Sequence, residues 1–369
     1  MAQTVIGLND PKARKLWSAD LMVSIAKKSY WQRKMMGRGA ETTQPVMMLT
    51  DLERQAGDMI SYDLSVQLSG QPIEGDARAE GHGERLDFYT DKIYIDQSRK
   101  PVDCGGRMSR KRTVHDLRKV GRARLTEYWA RIFDEQIFMY ASGARGINSD
   151  YTFPLNYTGR ANNPFEAPDP NHLLFGDGTS KATLTSAGKM SRGLIERANT
   201  RAAAQGGGAT QVAELQPITI AGAEHFVVVM HPYQAHDLRM STDSGNWMDI
   251  QKAAAAAEGA SNPIFKDALG MIGGTILHKH KSVVRFDDYG AGANVEAARA
   301  LFLGRQALVL AFGSAGGGLR FDWSEELMDH GNSIEICAGA IWGVKKSRFN
   351  AADFGLMSLD TAASNPDPV

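Results

Sequence analysis

The side chains most capable of chemistry in this sequence are its histidines, its two cysteines and a glycine-rich run. His278 and His280 lie two apart in an apolar stretch (TILHKH, 275–280), so they face one side of a strand and could share a metal ion. No carboxylate or cysteine at a diagnostic spacing joins them, and Lys279 and Lys281 interleave, which weighs against a metal site. His231 and His236 bracket a strand-to-helix turn, where capping or solvation is the expected role. Gly313 to Gly318 (GSAGGG) continues into Leu-Arg without the lysine that reaches phosphates, so it reads as a turn. There is no Gly-x-Ser-x-Gly elbow and no His-Glu-x-x-His. Cys104 and Cys337 are too few for a disulfide framework and predict a reducing compartment. No signal-peptide pattern or membrane-length apolar run is present, so neither secretion nor a membrane partner is expected. Nothing here argues for an enzyme, a cofactor or a metal.

The elements that would have to position such groups are more informative. The chain has 369 residues, with 42 Lys plus Arg against 42 Asp plus Glu, and this neutrality holds only in total. Residues 1–40 carry eight cations against Asp10 and Asp20, a net +6, and residues 99–131 carry eleven against three carboxylates, a net +8. The remainder therefore sums to −14. Charge segregated in this way gives a molecule with one face suited to a polyanion and a more acidic remainder, provided the faces are more than about 8–10 Å apart.

Residues 11–36 read as a loosely amphipathic helical arm (Leu16, Trp17, Leu21, Ile25, Trp31) ended by Gly37 and Gly39. From Met59 the period becomes two: Ile60, Tyr62, Leu64, Val66 and Leu68 on one side, Ser61, Asp63, Ser65 and Gln67 on the other. Residues 69–85 are too charged and glycine-rich to pack, and Phe88 to Ile95 returns as a second strand. The pair predicts a long hairpin with a charged tip. A helix is predicted over 113–142, capped by Thr113, with Val114, Leu117, Leu125, Tyr128, Ile132 and Met139 in one stripe. Further predictions are a helix over 185–204 starting at Thr185 or Ser186, a buried strand and helix within 225–240, a helix over 247–259, and strands to the C-terminus. An arm, a projecting hairpin and an over-long basic helix are devices for lapping over neighbouring subunits.

These residues resemble the major capsid proteins of N-four-like tailed bacteriophages. The resemblance is carried by IEGDARAEGHGERLDFYTDKIYIDQ, GGRMSRKRT, HDLRK and the helix with Trp129 and Asp134. VVVMHPYQAHDLR, WMDIQKAA, NPIFKDALGMIGGTILHKH, GRQALVLAFG, DHGNSIEICAGAIWGVKKSRF and DFGLMSLDTAA follow, spanning about 57–363. The sequence departs at Pro101 to Cys104, where smaller or aliphatic residues are expected.

The resemblance implies an α+β Hong Kong 97-type phage capsid fold. Its parts would be an N-terminal arm (1–56), an extended-loop β-hairpin (57–97), a peripheral domain (98–224) with spine helix 113–142, and an axial domain (225–369) whose strands return to the peripheral domain. It implies a major capsid protein forming hexamers and pentamers of an icosahedral shell around non-specifically held double-stranded DNA, assembled in the host cytoplasm. Portal, scaffolding and decoration proteins are the implied partners. The hairpin-tip residues Glu74, Asp76, Arg78, Glu80, Glu84 and Arg85 are expected at a subunit contact, and Lys27, Lys28, Arg33, Lys34, Arg118, Arg122 and Arg124 are expected to face DNA. An encapsulin-like nanocompartment shell and a soluble histidine-metal enzyme are the alternatives.

Overall fold

A computed structural model describes residues 11–367 except 54, 66, 67, 69, 77, 205–214, 221, 242–267 and 315–319, with side chains from residue 20. The helix predicted over 247–259 and the strand positions Val66 and Gln67 lie outside the described residues. In chain order the elements begin with α1 (Pro11–Lys28), α2 (Tyr30–Lys34), β1 (Met36–Arg38), β2 (Val46–Leu49), β3 (Met59–Ser65) and β4 (Phe88–Tyr94). Next come β5 (Asp96–Gly106), α3 (Arg107–Arg112), α4 (Leu117–Ser142), β6 (Leu173–Phe175), α5 (Arg192–Ala204), β7 (Ile218–Ile220), β8 (Ala223–Met230) and α6 (Pro232–Ser241). The chain closes with β9 (Gly270–Ile272), β10 (Thr275–Lys279), β11 (Arg285–Tyr289), β12 (Val295–Leu303), β13 (Leu308–Gly313), β14 (Phe321–Met328), β15 (Ser333–Lys346) and β16 (Leu356–Ala362).

Two sheets share these strands. The first runs β1-β2-β13-β15-β14, with β5 on the other edge of β15. Gly313 pairs with Ile341 and Phe321 with Ala340, so β13 and β14 form one interrupted strand that meets consecutive partners along β15. The second runs β9-β10-β8-β12-β16-β6, with β7 added to β8 and β11 to β12. The apolar run Val227 to Met230 is fully buried because both faces of the second sheet are covered. One face meets α5 and α6 through Leu194, Ile195, Ala198 and Leu238, and the other joins the main core.

α4 links the two. Its first half is amphipathic, but from Ile132 onward every residue is buried, as expected of a helix surrounded by protein. Leu125, Trp129, Phe133 and Phe138 share a cluster with Phe312, Phe321, Trp342 and Ala338 of the first sheet and Val227, Val229 and Leu301 of the second. The polar residues of the buried half each find a partner, although Gln136 Oε1 is left without one. Asp134 accepts from Ser29 Oγ at 2.7 Å and the backbone N–H groups of Tyr30 and Trp31. Glu135 accepts from the Thr152 N–H at 3.0 Å, and Gln136 Nε2 donates to the Tyr157 hydroxyl. Burial pushes the Asp134 carboxyl up to about 6.

Several predicted features are corrected. α4 begins at Leu117, and Asp116 rather than Thr113 is its N-cap, accepting from the N–H groups of Arg118 and Lys119. Thr113 instead closes α3, and Val114 is fully exposed. Asp116→Ala should therefore cost about 1 kcal/mol in chemical denaturation, whereas Thr113→Ala should cost a few tenths at most. α5 begins at Arg192, because Thr185 is held in a loop by Asp177. Residues 20–36 are not a detached arm: Leu21, Ile25, Trp31 and Met35 are in the main core. The expected boundary at 224/225 falls within the second sheet, since β6 pairs with β16 and α5 packs on the same strands.

Candidate assembly surfaces

The hairpin is built as a rigid stem and an unpacked tip. β3 and β4 pair from Met59↔Tyr94 to Ser65↔Phe88. Ile60, Tyr62, Ile93 and, just beyond β4, Ile95 pack on Val309 and Ala311 of the first sheet and on Phe349 and Phe354. A buried polar knot adds to this: Asp91 accepts from the Tyr62 hydroxyl at 2.6 Å and forms an ion pair with Lys345 of β15. Burial and the adjacent Asp91 carboxylate drive the Tyr62 hydroxyl well above its ordinary value, so it stays a donor. Beyond Ser65 and Phe88 no ladder continues among the described residues.

Glu74, Asp76, Arg78, Glu80, Glu84 and Arg85 all lie in this exposed excursion. Arg78 pairs with Glu80 at 2.8 Å and Arg85 with Asp87 at 3.1 Å, both in water, where such pairs contribute ~0–1 kcal/mol. Glu84 accepts from the Gly70 N–H. Sequence reasoning singled out the charges and placed Leu68 on the packed side of the strand, but the strand ends at Ser65 and Leu68 is exposed; Ile73 and Leu86 were not marked. Leu68, Ile73, Leu86 and Phe88 are exposed large hydrophobics clustered on one projection. The available signal was that Leu68, Leu86 and Phe88 flank, and Ile73 lies within, a segment too polar to bury them.

The basic residues divide. Arg118 is spent on Glu325, a carboxylate only 6% exposed, and Arg122 pairs with Asp20 of α1 at 3.2 Å. These two arginines hold α4 against β14 and α1. Lys28 and Arg124 converge on Glu127 at 3.2 and 2.7 Å, near the surface, while Lys34 lies over the Tyr30 ring. Lys27 and Arg33 are exposed, and Lys27 has no ion pair among the described residues. The first sheet is nevertheless polar across its thickness. Lys100, Arg118, Arg122, Arg124 and Arg131 belong to its helix-covered side, where Lys100 lies over the Tyr128 ring. The other side carries Asp322, Glu326, Glu335 and Asp103 with Arg99.

His278, His280 and His231 are packing and capping groups, and His236 is exposed. His280 stacks on Phe138 with ring centroids 4.8 Å apart, and Tyr30 touches both His278 and His280. His231 caps α6, its Nδ1 accepting the Tyr233 N–H at 3.2 Å. No group of three or more metal-ligating side chains exists among the described residues. Burial lowers both His280 and His231 to about 4, in His280 assisted by Lys281 and Lys34. A depressed histidine supports the fold above its ordinary value of 6.5 and loses that support as pH falls toward 4. His280→Gln should accordingly move the acid-unfolding midpoint, followed by fluorescence, to lower pH.

With this geometry established, comparison with known proteins is decisive: the phage capsid protein family matches residues 5–365. The chain belongs to the phage capsid protein family. The capsid of Ralstonia phage GP4 is 53% identical, with a TM-score of 0.87 over 100% of both chains. The major capsid protein of Pseudomonas phage KPP25 is 25% identical over 88% of this chain and 89% of its own. The Cyanophage Pam1 capsid, at 21% identity, shares the fold with a TM-score of 0.69 over 92% of this chain and 93% of its own. This capsid protein thus has the Hong Kong 97-type fold, with the mixed α/β architecture described above. It is a structural virion component, a major capsid protein that self-assembles into the icosahedral shell of a double-stranded DNA phage. The nanocompartment alternative has no support.

Proposed function

We propose that the chain closes its shell as hexamers and pentamers in which each hairpin tip reaches an adjacent subunit. α4 with the first sheet would be the peripheral domain, and the second sheet with α5 and α6 the axial domain meeting around the capsomer axes. The observation that carries this is the hairpin: a stem fixed by buried contacts ends in residues 70–88, whose described members join none of the apolar clusters and have four exposed apolar side chains in or beside them. Shell interfaces of this class spread about 2,000 Å² or more over several neighbours, so many modest contacts sum to a stable wall. Portal, scaffolding and decoration proteins would complete the particle, assembled in the host cytoplasm. Negative-stain microscopy of the expressed chain tests the shell geometry, with closed particles or ring-shaped capsomers expected and small monodisperse oligomers counting against it.

The helix-covered side would face the genome. Lys27, Lys28, Arg33, Lys34 and Arg124 then supply sequence-independent phosphate attraction, while Arg118 and Arg122 act by holding α4 in place. Replacing Lys27, Arg33 and Arg124 by glutamine should leave shell yield unchanged. It should reduce the slope of log binding against log salt by about 2 to 3, at ~0.9 for each phosphate no longer neutralised. An unchanged slope in filled particles would remove these three from the genome-facing set.

A further inference from the structure

α4 and the edge of the first sheet do not close fully on each other. Among the described residues β5 pairs with β15 alone, and between β5 and α4 lies a cleft in two parts that meet at Tyr128. The first part is an aromatic cavity of about 250 Å³. It is lined by Tyr128, Trp129 and Ile132 of α4, by Phe153, Tyr157 and Arg160, and by residues 96–99 of β5. The second part is a hollow of about 460 Å³, to which β5 contributes Lys100 and Val102 and α4 contributes Leu125 and Arg131.

The aromatic cavity contains polar groups that the chain itself leaves unanswered. Trp129 is 1% exposed, and its indole Nε1 has no hydrogen-bond partner. Arg160 donates from its terminal nitrogens to Ser98 Oγ and the Asp96 carbonyl, whereas its Nε is buried without an acceptor. Buried donors normally find acceptors, so two of them lining one aromatic cavity mark a place that an acceptor-bearing group would complete. In the second part the imbalance is one of charge. Glu127 is already shared by Lys28 and Arg124, and Arg131 reaches the buried Glu135 at 3.5 Å. Lys100 has no ion pair among the described residues. Its ammonium lies over the Tyr128 ring, 5.4 Å from the centroid, and the Arg131 guanidinium is 6.0 Å from the same centroid.

These features select among occupants. An apolar body fills the aromatic cavity, a carbonyl or carboxylate answers the two donors, and a second carboxylate answers Lys100. An acidic peptide with one aromatic side chain offers all three within a few neighbouring residues. Duplex DNA does not, since it presents phosphates and sugars outward and keeps its bases stacked in pairs. The hairpin of an adjacent subunit is on the wrong side. Its stem packs on Val309, Ala311 and Ile341, the face of the first sheet turned away from α4. Rotation about a ring axis normal to the shell never exchanges the two sides.

We propose that the cleft between α4 and β5 is a docking site for an acidic peptide of a partner protein, its aromatic side chain seated against Trp129 and a carboxylate on Lys100. This goes beyond the shell-building role and applies to the free chain as well as to the assembled one. Recognition rests on a single buried anchor and one charge match, the arrangement that concentrates binding energy in few residues.

Fluorescence anisotropy with the full-length, unassembled chain tests this, using a labelled Glu-Asp-Phe-Glu-Asp peptide as the probe. Saturable binding below about 1 mM is expected. Replacing the peptide's Phe by Ala, or Lys100→Glu in the chain, should each weaken it by about tenfold or more. A Lys-Lys-Phe-Lys-Lys peptide should not bind. One of the six tryptophan indole N–H resonances should move during the titration, which attraction to the surface alone does not produce. A parental thermal midpoint establishes that the exposed Lys100→Glu chain folds. Absent binding, equal affinity for the acidic and basic peptides, indifference to Lys100→Glu, or six unmoved indole resonances each overturn the proposal. Tighter Lys100-dependent binding of a peptide of residues 71–84 also overturns it, making a second copy the occupant. The same result with a short DNA duplex overturns it in favour of a genome contact.

Discussion

Deleting residues 71–84 should leave a chain that folds with nearly parental stability and cannot build closed shells. Stability is retained because the described residues of this segment are exposed and none belongs to any of the apolar clusters. The stem below it keeps its ladder, its contacts with Phe349 and Phe354, and the Asp91–Lys345 pair. Surface changes of this kind usually shift stability by about 0.5 kcal/mol or less. Assembly is another matter, because the absence of one contact per subunit recurs around every ring and between rings. Thermal unfolding of the soluble chain beside microscopy of its assembly products gives both halves of the result. Parental shells would refute the role given to the tip.

The second large effect lies in the interior. Arg299 of β12 meets Asp360 of β16 through two parallel bonds of 2.7 Å, both side chains buried. Its remaining donors reach the Ser142 carbonyl at the end of α4 and the Tyr289 hydroxyl, which itself donates to Asp360 at 2.6 Å. Desolvation alone would lower the guanidinium, but the Asp360 carboxylate overrides it and holds Arg299 charged. Asp360→Asn should then strand a buried cation and cost about 3–5 kcal/mol. That is a large share of the roughly 5–15 kcal/mol that stabilises an ordinary domain. Tyr289→Phe, which leaves the pair intact, should cost nearer 1 kcal/mol. Urea midpoints for the two variants decide it; equal losses would mean that the ion pair is not the dominant element of the knot.

These two sites differ in how far the sequence disclosed them. The hairpin was legible because alternation at Ile60 and Tyr62 and the packing-incompetent run after residue 69 are local signals. α4 was legible for the same reason, apart from its cap: Asp116 and Thr113 are both competent caps, and only the neighbouring turn of α3 decides between them. β5 was not legible as a strand. Pro101, Gly105 and Gly106 lower its propensity, yet it lies at an edge, where a missing N–H is tolerated. The partners of the basic residues were not legible, because a count of charges along the chain cannot see them. Glu325 lies 207 positions from the Arg118 it engages, and Asp20 lies 102 from Arg122. The Arg299–Asp360 knot depends on bringing together strands 61 residues apart, and no spacing rule points to it.

The interrupted strand formed by β13 and β14 has a further bearing on how such a chain can change. Gly313 and Phe321 sit against adjacent residues of β15, so the ladder is closed at both ends of the link between them and its register does not depend on how many residues lie between. Lengthening a loop whose ends are already fixed costs only about 0.6 kcal/mol per doubling. The link between Gly313 and Phe321 is therefore a point where the gene can gain or lose codons, or accept a foreign peptide for display, without renegotiating the wall of the particle.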